Sequence, residues 1–210
     1  MRKLVPILVV LISFVCVACN DDGVGSDEEA RQAYLGLDES IAKSIKLGFD
    51  GFNSASSANI TPQTTNGNVA GTLTVSGQVD QGASDNKGMR LWIAMVDYDD
   101  GDIVINEDGD TIHVVYDTDT VVDNQPYMQI MLKMIPTGTF DGYINSGAAM
   151  LGSYHMSGDL EGTLFLNVTF TGTLMSCASP CITERVPGST HVTGTATNGD
   201  GGTYNIDLTI

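Results

Sequence analysis

From Leu164 to Leu174 the chain alternates, with Leu164, Leu166, Val168, Phe170 and Leu174 on one parity and Asn167, Thr169, Thr171 and Thr173 on the other. A β-strand sends successive side chains to opposite faces, so this spacing buries one face and wets the other. The pattern recurs with Leu73, Val75 and Val79 against Thr72, Thr74, Ser76 and Gln78. It recurs again with Tyr204, Ile206, Leu208 and Ile210 against Asn205, Asp207 and Thr209. Less regular strands are predicted within 91–96, 103–105, 112–116, 128–135, 142–145 and 148–156. Many short strands at close spacing predict a mainly β protein, an antiparallel β-barrel or β-sandwich, rather than any βαβ arrangement.

A weak internal echo refines that expectation. Gly77, Gly158, Gly172 and Gly194 each follow a Ser or Thr and fall on the apolar parity of their strands. Glycine at an inward position lets a strand coil sharply or lets a neighbour press on bare backbone, both devices for closing a sheet. The expectation fails if these glycines are scattered over both faces.

One stretch has a different period. Ser26-Asp27-Glu28-Glu29 has capping-box spacing, and Ala30, Ala33, Tyr34, Leu37, Ile41, Ile45 and Phe49 then recur as a helical stripe. Gly48 and Gly51 read as its stop, which places one N-terminal amphipathic helix over 27–52. Residues 53–68 are rich in Ser, Thr and Asn with little to bury, and read as a linker before a β domain over 69–210.

The first residues have another purpose. Arg2 and Lys3 precede an apolar run of 14 residues, Leu4 to Val17, and small Ala18 stands before Cys19. This is the form of a secretory signal peptide over 1–18, and it is too short for the roughly 20 residues of a spanning helix. Cys16-Val17-Ala18-Cys19 resembles the lipobox of bacterial lipoproteins, departing from it at Cys16, where Leu is usual. The resemblance covers this segment alone. It implies cleavage before Cys19, lipidation of Cys19, a membrane partner through that lipid, and a tether over 19–26. Asn20, rather than Asp, after the cysteine favours the outer membrane by the same analogy.

Loss of residues 1–18 removes two of the nine basic residues and none of the 26 acidic ones, shifting the formal charge from −17 to −19. Such a chain repels phosphate backbones, which excludes nucleic acid as a partner. In an oxidising envelope compartment, Cys177 and Cys181 read as a disulfide stapling a loop. A redox pair would need two intervening residues rather than three, and a zinc site would need ligands beyond His191.

Ten carboxylates and no Lys or Arg lie between Asp97 and Asp123. Calcium takes six to eight oxygens, so Asp97, Asp99, Asp102, Asn106, Asp108 and Asp110 are the candidate ligands for that one possible cofactor. Their spacing is not that of an EF-hand, and Asp-Gly turns on an exposed edge explain the same residues. Met128, Met131, Met134 and Met156 read as adaptable core rather than a copper site, and His113 and His191 as lone structural histidines. Ser40-Ile41-Ala42-Lys43 and Ser84-Asp85-Asn86 have the wording of acyl-enzyme motifs, but the third motif of that set is missing. No residue set amounts to an active site. The chain reads as a non-enzymatic, lipid-anchored envelope protein of interaction or structural type, with an envelope protein or an apolar small molecule as partner. The alternatives are a carrier of an apolar ligand in a barrel cavity lidded by the helix, and a calcium-binding envelope protein.

Overall fold

Strand pairing accounts for every alternating segment of the sequence. The computed structural model describes residues 23–54, 58–80, 85–145, 152–178 and 183–210. One helix, α1 (Asp27–Ser54), precedes β1 (Asn59–Asn66), β2 (Ala70–Asp80) and β3 (Lys87–Asp99). A small hairpin of β4 (Ile103–Val104) and β5 (Thr111–Ile112) follows, then β6 (Val114–Thr118), β7 (Tyr127–Lys133), β8 (Thr139–Asn145) and β9 (Tyr154–Gly158). The last strands are β10 (Gly162–Ser176), β11 (Thr183–Arg185), β12 (His191–Asn198) and β13 (Thr203–Thr209). All pairings are antiparallel.

Eleven strands form one sheet that forks in its middle. β1, β2 and β3 run in order, and β3 then pairs β7 along its first half and β6 at its far end. The two branches, β7–β8 and β6–β9, rejoin on β10, which carries β11, β12 and, beyond β12, β13 on its other side. The edges β1 and β13 do not pair with each other, so the sheet is curled but open. α1 touches both edges as well as β2, β3 and β11. The helix therefore lies in the trough of the sheet and fills the gap that strand pairing leaves.

The fit is close because the helical stripe is long and partly bare. Ala30, Ala33, Tyr34 and Leu37 are fully buried, and Ile41, Ile45 and Phe49 continue the stripe into the same core as the inward residues of the sheet. Gly48 and Gly51 do not stop the helix, which runs through both to Ser54. A Cβ on Gly48 would lie 2.8 Å from a Leu91 methyl and one on Gly51 3.2 Å from Ile60, so these positions are bare to admit the sheet. The expected linker is also corrected: residues 59–66 form the edge strand β1, paired along β2. Its composition is polar because only Ile60 of that strand is buried, so an edge strand had little to distinguish it from a loop.

All four echo glycines lie on the buried parity of their strands. At Gly77 and Gly194, φ is +143° and +151°, and a Cβ would stand 2.0 and 2.2 Å from the carbonyl oxygens of Arg90 and Asn167 across the ladder. A side chain is excluded at both, and the strands bend there. The N-terminal segment is not wholly a tether either. Val24 is fully buried, its carbonyl accepts a 3.0 Å bond from Asn198 Nδ2, and Asp27 accepts from the Asn205 backbone at 2.7 Å. Among the described residues no helix is long and apolar enough to cross a membrane.

Candidate functional site

The outer flank of α1 and the short strand β11 enclose a cleft of about 580 Å3. Its floor is apolar, made by Ile45, Phe140, Leu174 and Ile210, with the Phe140 ring set 6.1 Å from that of Phe170. Asp38, Glu39, Ala42, Lys43 and Lys46 of α1 form one wall, and Thr183, Glu184 and Arg185 with the 186–190 turn form the other. That size and mixture suit a small organic molecule.

Two ion pairs shape the walls. Arg185 binds Asp38 through both ends of its guanidinium, at 2.7 and 2.8 Å, and so ties β11 to the helix. Burial opposes the charge on Arg185, but the hydrogen bonds and charge of Asp38 outweigh it and hold the pKa above its ordinary value. Lys43 reaches Asp100 at 2.6 Å, donates to Tyr98 and Asn68 at 3.0 Å each, and lies 5.3 Å from the Tyr98 ring centre. Burial, then the hydrogen bond to Asp100, pushes the Tyr98 hydroxyl far up, so it stays a neutral donor.

Lys46 is paired with Asp50 at 2.6 Å, so each cation of the cleft already has a carboxylate. Glu39 and Glu184 are the exceptions among its anions, since neither forms a salt bridge among the described residues. Burial raises the Glu39 pKa, Lys43 opposes that, and Asp100 adds to it. One turn before Asp38, the buried Tyr34 hydroxyl has no hydrogen-bond partner among the described residues, and burial followed by the Asp38 charge pushes its pKa up.

The structure does not gather the six residues expected to bind calcium. Asp99 and Asp102 close on His113 instead, at 3.2 Å to Nε2 and 3.0 Å to Nδ1. The hydrogen bond to Asp102 and then the charge of Asp99 raise the His113 pKa, and the ring takes up an oxygen of each of these two carboxylates. Asn106 and Asp110 bond to each other across the β4–β5 turn at 2.8 and 3.0 Å, Asp108 is exposed at its tip, and Asp97 is turned outward with φ of 46°. Among the described residues, no three His, Cys, Asp or Glu side chains form a group fit to hold a metal ion.

The other expectations divide. Cys19 and Cys181 lie outside the described residues; Cys177, just past β10, is held in a disulfide. Met128 and Met156 are buried, whereas Met131 is half-buried and Met134 is 62% exposed. Ser40 donates to the Leu37 carbonyl at 2.6 Å while Lys43 is engaged with Asp100, so the Ser-x-x-Lys wording marks two structural contacts. The helix fills the trough rather than lidding an empty one. Sequence reasoning missed the cleft because its two walls are 147 positions apart at Asp38 and Arg185, with no local pattern joining them. Comparison with family models, curated proteins and solved structures found no match to this chain.

Proposed function

We propose that this is a lipid-anchored envelope protein, held by acyl chains on Cys19, that binds a small molecule in the α1–β11 cleft and performs no catalysis. The observation that carries the reading is the cleft itself: an apolar floor under walls whose cations are all neutralised, with Glu39 and Glu184 left over. That arrangement favours a ligand with an apolar body and a cationic end. The cation would replace water at carboxylates that have no partner of their own, at little cost to the ion pairs already in place. The lipobox resemblance and Asn20 support anchorage in the outer membrane, and a Cys177–Cys181 bridge would staple the chain just before β11, one wall of the cleft.

Native mass spectrometry of the full chain, expressed in a bacterial host and released from detergent micelles, tests both parts. The expected species is a chain beginning at Cys19 with acyl additions and a removable small-molecule mass. Cys19→Ser should lose the acyl mass alone, and Ala42→Trp, which fills the cleft from the helix side, should lose the small molecule alone. A bare cleft in the parent protein, or a small molecule unaffected by Ala42→Trp, sinks the binding reading. An unacylated Cys19 sinks the anchor.

A further inference from the structure

We propose that the outward face of the sheet around Trp92, Tyr127 and Tyr143 binds a neutral polysaccharide. The three rings come from the adjacent strands β3, β7 and β8 and point away from the core, each half-buried beside fully buried neighbours. Trp92 and Tyr127 are register partners with ring centres 5.4 Å apart, and Tyr143 lies 6.2 Å beyond Tyr127. The Tyr143 and Tyr127 hydroxyls both donate to Gln129 Oε1, at 2.9 and 3.5 Å, which fixes the rings. The amide nitrogen of Gln129 and the indole nitrogen of Trp92 have no acceptor among the described residues.

Register extends the platform across the sheet. One cross-strand row reads Trp92, Tyr127, Asn145, Asn167, Thr195 and Asn205. The neighbouring row reads Arg90, Gln129, Tyr143, Thr169, Thr193 and Asp207. Twelve positions on a chain of net charge −17 thus carry one cation and one anion, and Arg90 is already bound to Asp80 at 2.8 Å. Charge then selects among partners with stacking surfaces. A nucleic acid also stacks on rings, but it needs a basic groove that this face lacks. A saccharide ring offers an apolar C–H face to an aromatic platform and a rim of hydroxyls to amides and threonines, and when uncharged it meets no repulsion from the acidic chain. The length of the row suits a chain of sugars rather than one.

Trp92 is the only tryptophan, so its emission reports on the platform directly. The test uses the full-length gene product in nonionic detergent, run in native gels containing dextran, laminarin or hydroxyethylcellulose, with Trp92 emission titrated in parallel. The expected result is retardation by at least one of the three with a saturable change in emission. Tyr127→Ala and Tyr143→Ala should each weaken binding about fivefold or more, the equivalent of about 1 kcal/mol per ring. Gln129→Ala, which leaves the core untouched, should weaken it in the same direction, and Ala42→Trp in the cleft should leave it unchanged. Unretarded migration in all three gels, or retardation undiminished in the folded alanine variants, overturns the proposal.

Discussion

Gly36→Ala should destabilise the protein, although alanine is the better helix former. Gly36 lies inside α1, where the substitution alone gains about 1 kcal/mol. A Cβ there would stand 2.3 Å from the Tyr116 hydroxyl oxygen and 3.2 and 3.3 Å from two ring carbons. Tyr116 has little room to retreat, being 1% exposed and bonded through its hydroxyl to the Ala33 carbonyl at 2.8 Å. Overpacking costs about 1–3 kcal/mol, and displacing the hydroxyl strands a buried donor at about 1–3 kcal/mol more. Against the helix gain, the net loss is about 3 kcal/mol, a fall of about 6–12 °C in Tm. Tyr116→Phe removes the offending oxygen and by itself costs about 1 kcal/mol. In that background Gly36→Ala should be nearly neutral, because the remaining contacts exceed 3.0 Å. Thermal melts of the four proteins should give a coupling of about 3 kcal/mol between the sites. A Gly36→Ala protein that melts at or above the parent, or penalties that simply add, would refute the close seating of the helix on β6.

His113 is expected to make stability depend on pH. Its folded pKa is raised, so its contribution is complete below the ordinary histidine value and is lost as pH rises through the higher folded value. The gap in urea midpoint between parent and His113→Ala should therefore be larger at about pH 5.5 than at about pH 8.5, and the reverse order would show that Asp99 and Asp102 do not hold it. Arg185→Ala should cost about 1.5–3 kcal/mol in thermal melting and Arg185→Lys should not restore it, since only the planar guanidinium meets both Asp38 oxygens. Val24→Asp places a carboxylate at a fully buried position and should cost more than about 2 kcal/mol; an unchanged melt would make residue 24 part of a free leash.

What the sequence revealed follows period and burial. β10 and β13 were legible because one face of each meets the core, while β1 was taken for linker because an edge strand with one buried residue carries no alternation. The helix was legible from its stripe, but its glycines were ambiguous: the same residue marks a stop or a close approach, and only the packing of Leu91 against Gly48 decides. The carboxylates of 97–123 could be counted in the sequence, but the contacts that Asp99 and Asp102 make could not. His113 stands 14 positions from Asp99 and 11 from Asp102, and nothing local shows that its ring would take both. The aromatic platform was in plain view as residues but not as a surface, since β3, β7 and β8 come together only through register.

The docking of Val24 bears on how such a domain would stand at a membrane. If Cys19 carries acyl chains as proposed, three residues, Asn20 to Asp22, would separate lipid from the pinned chain at Gly23, and the four Cα steps across them reach at most about 14 Å. That is less than the roughly 24 Å of α1 between Asp27 and Lys43, at about 1.5 Å per residue. On that anchorage, a leash shorter than the domain it holds would keep the Val24 and Asn198 end nearest the bilayer and restrict tumbling. The cleft, which begins at Asp38 near the middle of the helix, would then be carried away from the anchor point by a rigid element rather than by a flexible one. On the proposed anchorage, the buried valine and its bond from Asn198 would convert a lipid attachment, in itself free to swivel, into one with a preferred face.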